Sequence, residues 1–328
     1  MNTPVCPYAS KCGGCLYLDM PFESYVEKKK NFIINSFSHA GILLELNDFI
    51  IIPFGKRRRA TFAFKKGVVG FNEAKSHQII PMDKCPALTQ NLSSLLPKLK
   101  ELTLLIGKKG DISLLETAQG VDIHIKTGKE QPSLDLRMTL AEFASDEQIV
   151  RLSYNFEPIV QKVPLSLPID AFLQPSFEGE QALVNLVLTH LKGEKKVIDL
   201  FAGAGTFTTP MIKAGFEAIG YDSAKESIRL LGQHGVFRDL FRNPLTAQEL
   251  NVFDCIVMDP PRAGAKEQTR EISKSQVKKI IMISCNPVTA ARDSLTLMNA
   301  GWKITKAIGV DQFIYTNHCE VFCLFEKE

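Results

Sequence analysis

The stretch Val197-Ile198-Asp199-Leu200-Phe201-Ala202-Gly203-Ala204-Gly205-Thr206 decides how this chain is read. An almost wholly apolar run ends in a glycine turn, and a helix-compatible segment through Met211 follows. Such a run marks a strand buried on both faces, as in parallel sheets. Outward from it the pattern repeats. The sequence predicts helices over residues 180–191 and 224–231 and a strand over 217–221. Further strands are predicted over 253–258 and 279–284, each with helix-compatible residues after it, and two more over 304–310 and 321–325 close the chain. Alternating β and α elements with apolar strands specify an α/β fold built on a doubly wound parallel sheet.

Upstream the texture differs. Residues 1–20 are turn-rich and carry three cysteines. Over residues 21–40, Phe22, Tyr25, Val26, Phe32, Ile33 and Phe37 recur at helical spacing, with Gly41 as the stop. From 48 to about 169 short alternating segments predict a mixed α/β unit, with strands at 60–64, 68–71, 121–125 and 134–138 and a helix near 88–102. The expected division is 1–47 as a cysteine-rich arm and helix, 48–168 as the mixed unit and 169–328 as the doubly wound domain. A length of 328 residues suits two domains, and 45% hydrophobic residues is ordinary for a globular chain. No apolar run reaches membrane-spanning length. Residues 1–10 lack the pattern of a secretory leader, so a cytoplasmic protein is expected. Its eight cysteines are then expected to be thiols, metal ligands or catalysts rather than disulfides.

The net charge of +3 says little, but Lys28-Lys29-Lys30, Lys56-Arg57-Arg58-Arg59 and Lys65-Lys66 all fall in the first quarter. Such clusters either neutralise phosphates or form solvated faces. Arg57, Arg58 and Arg59 are the best phosphate candidates, because an aromatic-bearing strand follows them.

In a doubly wound sheet ligands bind at the carboxyl ends of the strands. Gly203 and Gly205 would let the backbone approach a ligand closely. A bare G-x-G is common, and its departure from G-x-x-x-x-G-K-[ST] argues against a nucleoside triphosphate. Asp222, ending the next strand, is placed to accept from both hydroxyls of a ribose, as in dinucleotide dehydrogenases, or to cap the following helix. Asp239 is a candidate for an adenine amine, although capping or a salt bridge fits it equally well. Asp259-Pro260-Pro261-Arg262 separates the alternatives: two prolines fix a rigid turn and remove backbone donors, leaving the Asp259 side chain to face a pocket. A dehydrogenase has no use for that turn. Cys285 follows the strand 280–284 and precedes a helix starting at Pro287, whose N-terminus is expected to favour the thiolate. A strand-end cysteine is otherwise a small buried hydrophobe.

Taken in order, Phe172-Leu173-Gln174, the glycine loop, Asp259-Pro260-Pro261-Arg262, Ser284-Cys285-Asn286-Pro287 and His318-Cys319-Glu320 resemble the bacterial RNA 5-methyluridine methyltransferase family over almost the whole chain. The resemblance implies a class I S-adenosylmethionine-dependent methyltransferase, a Rossmann-like doubly wound sheet with an amino-terminal cluster-binding α/β domain. It implies Cys285 as nucleophile, Glu320 as base and Asp259 as holder of the uracil edge. Gln174, Phe201, Gly203, Gly205, Asp222, Asp239 and Asp259 would contact S-adenosylmethionine. The chemistry needs this set. Carbon 5 of uracil is too weak a nucleophile until a thiolate adds at C6, and a base must then remove the C5 proton. The chain departs from the family at Ser176, Ala202 and Asp222, where Asn, Cys and Glu are usual.

Cys6, Cys12, Cys15 and Cys85 form C-x5-C-x2-C plus a distant Cys-Pro. By spacing, four thiolates suit zinc or an iron–sulfur cluster equally. The resemblance favours the [4Fe–4S] branch, with zinc as the alternative. It also favours ribosomal RNA of the large subunit over tRNA as partner, with a monomeric protein and no membrane. Two other readings compete. One is a non-catalytic RNA-binding assembly factor, resting on Ala202 and Ser176. The other is an exocyclic-amine methyltransferase, which would not need Cys285.

Overall fold

A computed structural model describes residues 5–9, 11–74 and 76–327; part of the 1–10 start expected to carry no leader therefore lies outside the described residues. In chain order the elements are α1 Phe22–His39, β1 Asp48–Ile51, β2 Arg59–Lys65, β3 Val68–Gly70, α2 Gln90–Ile106, β4 Lys109–Thr117, β5 Gly120–Lys126, α3 Leu134–Phe143, β6 Ile149–Tyr154 and β7 Glu157–Gln161. The second half holds α4 Phe177–His190, β8 Lys196–Leu200, α5 Thr208–Lys213, β9 Glu217–Asp222, α6 Lys225–Ile228, β10 Gly235–Phe237 and α7 Ala247–Leu250. It closes with β11 Cys255–Met258, α8 Lys266–Ser273, β12 Lys279–Ser284, α9 Pro287–Met298, β13 Lys303–Asp311 and β14 Glu320–Glu326. A 3-10 helix, Arg229–His234, follows α6.

Eight strands form one sheet in the order β1-β13-β14-β12-β11-β8-β9-β10. All pairings are parallel except those of β14, which runs antiparallel between β12 and β13. From β8 the chain winds outward to β9 and β10, then returns through β11 to the other side. The switch therefore lies between β8 and β11, where such sheets bind ligands. One face packs α1 residues Ile33 and Phe37 with Ala290, Ala291 and Leu297 of α9. The other packs Leu183, Val184 and Val187 of α4 with Met211 of α5. The second sheet, β3-β2-β4-β5-β6-β7, is antiparallel apart from β5–β6. Its core sets Phe62, Phe64, Ile112 and Ile123 against Leu92, Leu95 and Leu99 of α2.

Two expectations are corrected. The boundary at 47/48 does not separate domains. β1 pairs in parallel with β13, Asp48 facing Ile308, and α1 lies with α9 on one face of the large sheet, so the arm's helix and strand are part of the doubly wound layer. Nothing local distinguishes a four-residue apolar strand that joins its sequence neighbours from one that joins a partner 260 residues away. Residues 134–138 are helical, not extended: Ser133 caps α3 by accepting from Leu136 N at 3.3 Å, and Leu140 is its buried anchor. The alternation of Leu134, Leu136 and Met138 left two of these side chains exposed, and the cap decided the structure.

Candidate active site

β8 and β11 end side by side, Leu200 opposite Met258, and a cavity of about 840 Å³ opens beyond them. Phe201, Gly203, Asp222, Gln174, Asp259, Cys285 and Glu320 all line it. Two strands explain how residues far apart in sequence meet. β12 delivers Cys285 at its carboxyl end, and β14 runs back along β12 with Ser284 opposite Val321, so Glu320 starts β14 beside the thiol.

The turn after β11 is locked from α9. Asn286 caps α9 by accepting from Val288 N at 3.2 Å, while its amide donates to the Arg262 carbonyl at 3.0 Å. Thr289 Oγ1 donates to the same carbonyl at 3.2 Å, and Asp293 accepts from Ala265 N at 2.7 Å. Gln174 Nε2 donates to Asp259 Oδ2 at 2.9 Å. Gln312, which sequence reasoning missed, donates to Gln174 Oε1 at 2.8 Å and to Glu320 Oε1 at 3.3 Å. No motif marks it; only the fold brings it between the other two.

Burial dominates the electrostatics. It pushes Glu320 up to about 7. It also raises Asp259 well above the carboxylate range, with Glu320 adding to the effect. The Cys285 thiol goes up to about 11, by burial first and then by Glu320 and Asp259, with Arg262 opposing. Whatever the helix N-terminus contributes toward the thiolate, two neighbouring carboxylates and desolvation act against it. His318 is pushed down by burial and by Arg262, whose Nη2 donates to its Nε2 at 3.2 Å.

In the cofactor wall, Asp222 accepts from Gly203 N at 2.9 Å and from Ala224 N at 2.6 Å, so it braces the glycine turn while facing the cavity. Gly203, at φ 56, has open space where a side chain would stand. Gly205 differs: it is buried outside the cavity lining, and a Cβ there would come within 2.4 Å of Leu231 Cδ2. Its expected role toward a ligand is corrected to one in packing. Asp239 is also outside the lining. It caps its own turn, accepting from Phe241 N at 3.0 Å and Arg242 N at 3.2 Å. Phe241, not singled out by sequence, packs on Phe201 with ring centroids 5.5 Å apart.

The basic segment is corrected at Arg58. Only 2% exposed, it donates to the Gln174 carbonyl at 2.8 Å and to Glu180 Oε2 at 2.5 Å, and stacks on Phe177. At that depth its remaining N–H groups are turned away from solvent and from a phosphate. Arg59 donates to the Leu173 carbonyl at 3.2 Å, and Arg57 lies over the Phe313 ring at 5.6 Å. In the earlier basic run Lys29 is likewise buried, donating to the carbonyls of Thr316 and His318 and paired with Asp311 at 3.0 Å.

Cys6, Cys12, Cys15 and Cys85 line one small cavity beside Arg57. Burial raises Cys12 and Cys85 and pushes Cys15 up to about 12, while Arg57 pulls all three down. Gly14 N donates to Cys12 Sγ at 3.4 Å. Among the described residues no group of three or more His, Cys, Asp or Glu side chains is arranged to hold a single metal ion.

The chain matches the family model "tRNA (Uracil-5-)-methyltransferase" over residues 236–328. It is 30% identical to the 23S rRNA (uracil(1939)-C(5))-methyltransferase RlmD of Salmonella paratyphi A, across 99% of this chain and 82% of that protein. The chain belongs to the RNA uracil-C5 methyltransferase family. An RNA methyltransferase of Rhizobium meliloti is 34% identical over 96% of this chain and 82% of its own length. The Pyrococcus abyssi tRNA (uracil-54, C5)-methyltransferase, solved with S-adenosyl-L-homocysteine, shares the fold with a TM-score of 0.73 and 22% identity, over 98% of this chain and 86% of that one. The large sheet is thus a class I methyltransferase fold, and the chain is an enzyme that uses S-adenosylmethionine to methylate uracil C5 in RNA. Membership favours the enzyme over the non-catalytic reading. Ser176, one of its two grounds, is the N-cap of α4, accepting from Gly179 N at 3.0 Å. Among the described residues no helix is long and apolar enough to cross a membrane.

Proposed function

We propose that this methyltransferase modifies a uridine of large-subunit ribosomal RNA, as a monomer, through a covalent bond between Cys285 and C6. One observation carries the chemistry: a thiol and two carboxylates of raised pKa line a single cavity at the strand ends. Similarity across the whole chain to a ribosomal RNA enzyme favours that substrate. The tRNA reading rests on the family model and the solved archaeal relative.

The target base must leave its stack to enter the cavity. Asp259, whose burial favours its protonated form, faces the oxygen on which enolate charge develops when the Cys285 thiolate adds at C6 and can donate to it. Phe201, Gly203 and Asp222 would hold S-adenosylmethionine, which would supply the methyl group that C5 takes up as S-adenosylhomocysteine is left. Glu320 then accepts the C5 proton, the freed electron pair restores the C5–C6 double bond, and the C6–S bond breaks to return the thiolate. Arg57 and Arg59, partly exposed on the seam between the sheets, are the remaining phosphate contacts of the basic segment.

We also assign a [4Fe–4S] cluster to Cys6, Cys12, Cys15 and Cys85. One buried and three half-buried cysteines around one cavity, with an arginine opposing their charge and an N–H donor on one sulfur, suit a set of four thiolates holding a cluster.

The test is RNA carrying 5-fluorouridine. Fluorine cannot leave as a proton, so a denaturation-stable adduct should form with the wild-type protein and not with Cys285→Ala. Mapping 5-methyluridine in ribosomal and transfer RNA from cells lacking the gene identifies the substrate. Loss from tRNA alone overturns the ribosomal reading, and no adduct with either RNA overturns the covalent one.

A further inference from the structure

Asp259, Gln174, Gln312 and Glu320 form an unbroken hydrogen-bonded row, in which Gln312 lies behind the cavity lined by the other three. In the structure the NH2 of Gln174 donates to the Asp259 carboxyl, and its oxygen faces Gln312. Gln312 therefore presents its NH2 to two acceptors, the Gln174 oxygen and Glu320 Oε1; the flipped amide would set oxygen against oxygen. The side chain is 5% exposed, and its own oxygen has no hydrogen-bond partner among the described residues. A buried amide with an unsatisfied acceptor is costly, and the donor end is where this side chain makes its hydrogen bonds. Room for it exists only because residue 179 is glycine: a Cβ there would lie 2.2 Å from Gln312 Oε1 and 2.9 Å from its Cβ.

We propose that Gln312 is a positioning residue for the proton-removal step: it orients Glu320 toward C5 and keeps that carboxylate, rather than Asp259, as the acceptor. This rests on the reading of Cys285 as nucleophile and Glu320 as base. A donor to one Glu320 oxygen leaves the other to receive the proton and favours the ionised form. When Glu320 accepts the C5 proton, the C5–H pair forms the C5–C6 double bond and the sulfur leaves with the C6–S pair. If Glu320 is misplaced, methyl transfer can finish while release stalls.

The experiment uses the full-length protein, S-adenosylmethionine and RNA with ordinary uridine. Gln312→Met keeps length and removes both hydrogen bonds. It is expected to slow turnover roughly tenfold to a hundredfold, the weight of a hydrogen bond to a charged group. It should also accumulate a denaturation-stable protein–RNA adduct carrying the transferred methyl, which wild type does not. The acid limb of the rate should move to higher pH, because Glu320 loses a donor. The other groups around Glu320 are unchanged in the variant: Asp259 and Arg262 from the β11 turn, Cys285, Lys29 from α1 and Asp311 from β13. Gly179→Ala, which presses on Gln312 without removing it, should show the same adduct and carries the test if Gln312→Met does not fold. A uniform loss of rate with no adduct on uridine RNA, or no loss at all, overturns the role of Gln312. Failure of the wild-type protein to form the 5-fluorouridine adduct overturns instead the covalent reading beneath it.

Discussion

At Cys285 burial and two carboxylates push the thiol up to about 11 while Arg262 pulls it down. At neutral pH such a group rests mainly as the thiol. A proton held on Asp259 or Glu320 removes the repulsion from that carboxylate, so the two acids and the nucleophile titrate as one group of sites rather than three. Glu320 gives the clearest consequence. Its folded pKa of about 7 lies above the ordinary 4.5, so the native state holds a proton that the unfolded chain releases. Stability from this group is full below about pH 4.5 and is lost as pH rises through about 7. Glu320→Gln mimics the protonated acid. It should therefore be more stable than wild type by on the order of 3 kcal/mol at about pH 8, and nearly equal to it at about pH 4.5, while losing turnover. Thermal unfolding at both pH values measures this; an equal gap at both would show that burial is not what holds the proton.

The glycine turn between β8 and α5 holds two residues that look alike in sequence and do different work. Gly205→Ala sets a Cβ against Leu231 and Thr209 at φ 91, and should destabilise by about 2–3 kcal/mol, seen as a lower unfolding midpoint. Gly203→Ala meets open space, so it should cost about 1 kcal/mol for its left-handed backbone and act mainly on binding of S-adenosylhomocysteine, read by calorimetry. The reverse pattern would exchange their roles. Long, buried elements were legible: β12 runs over the residues its apolar pattern marks, and β8, β11 and β14 lie within two residues of theirs. Short amphipathic ones were not. α3 was settled by a serine cap, and β1 by a strand it meets only after folding.

Across the whole molecule, Arg58 holds the small sheet to the catalytic one, its guanidinium on the Gln174 carbonyl and on Glu180 of α4. Arg57, next in line, lies between the cysteine cavity and Phe313 of the active-site wall. An intact cluster would thus fix the segment that supports Gln174. Cys85→Ser should lose the visible absorption and the bound iron, about four atoms per chain in the wild type, and unfold at a lower temperature. One zinc per chain in the wild type would replace the cluster with the other assignment. The sequence by itself determined the sheet and the strand-end location of the site, because apolar periodicity and rigid turn chemistry are local properties; it was the resemblance to the family that singled out Cys285, Asp259 and Glu320. Only the tertiary structure decided that Arg58 and Lys29 are buried rivets rather than phosphate contacts, that Gly205 serves packing, and that Gln312 joins Gln174 to Glu320. Each of those depends on partners brought together by folding, and a side chain's charge or shape does not reveal which neighbour will satisfy it.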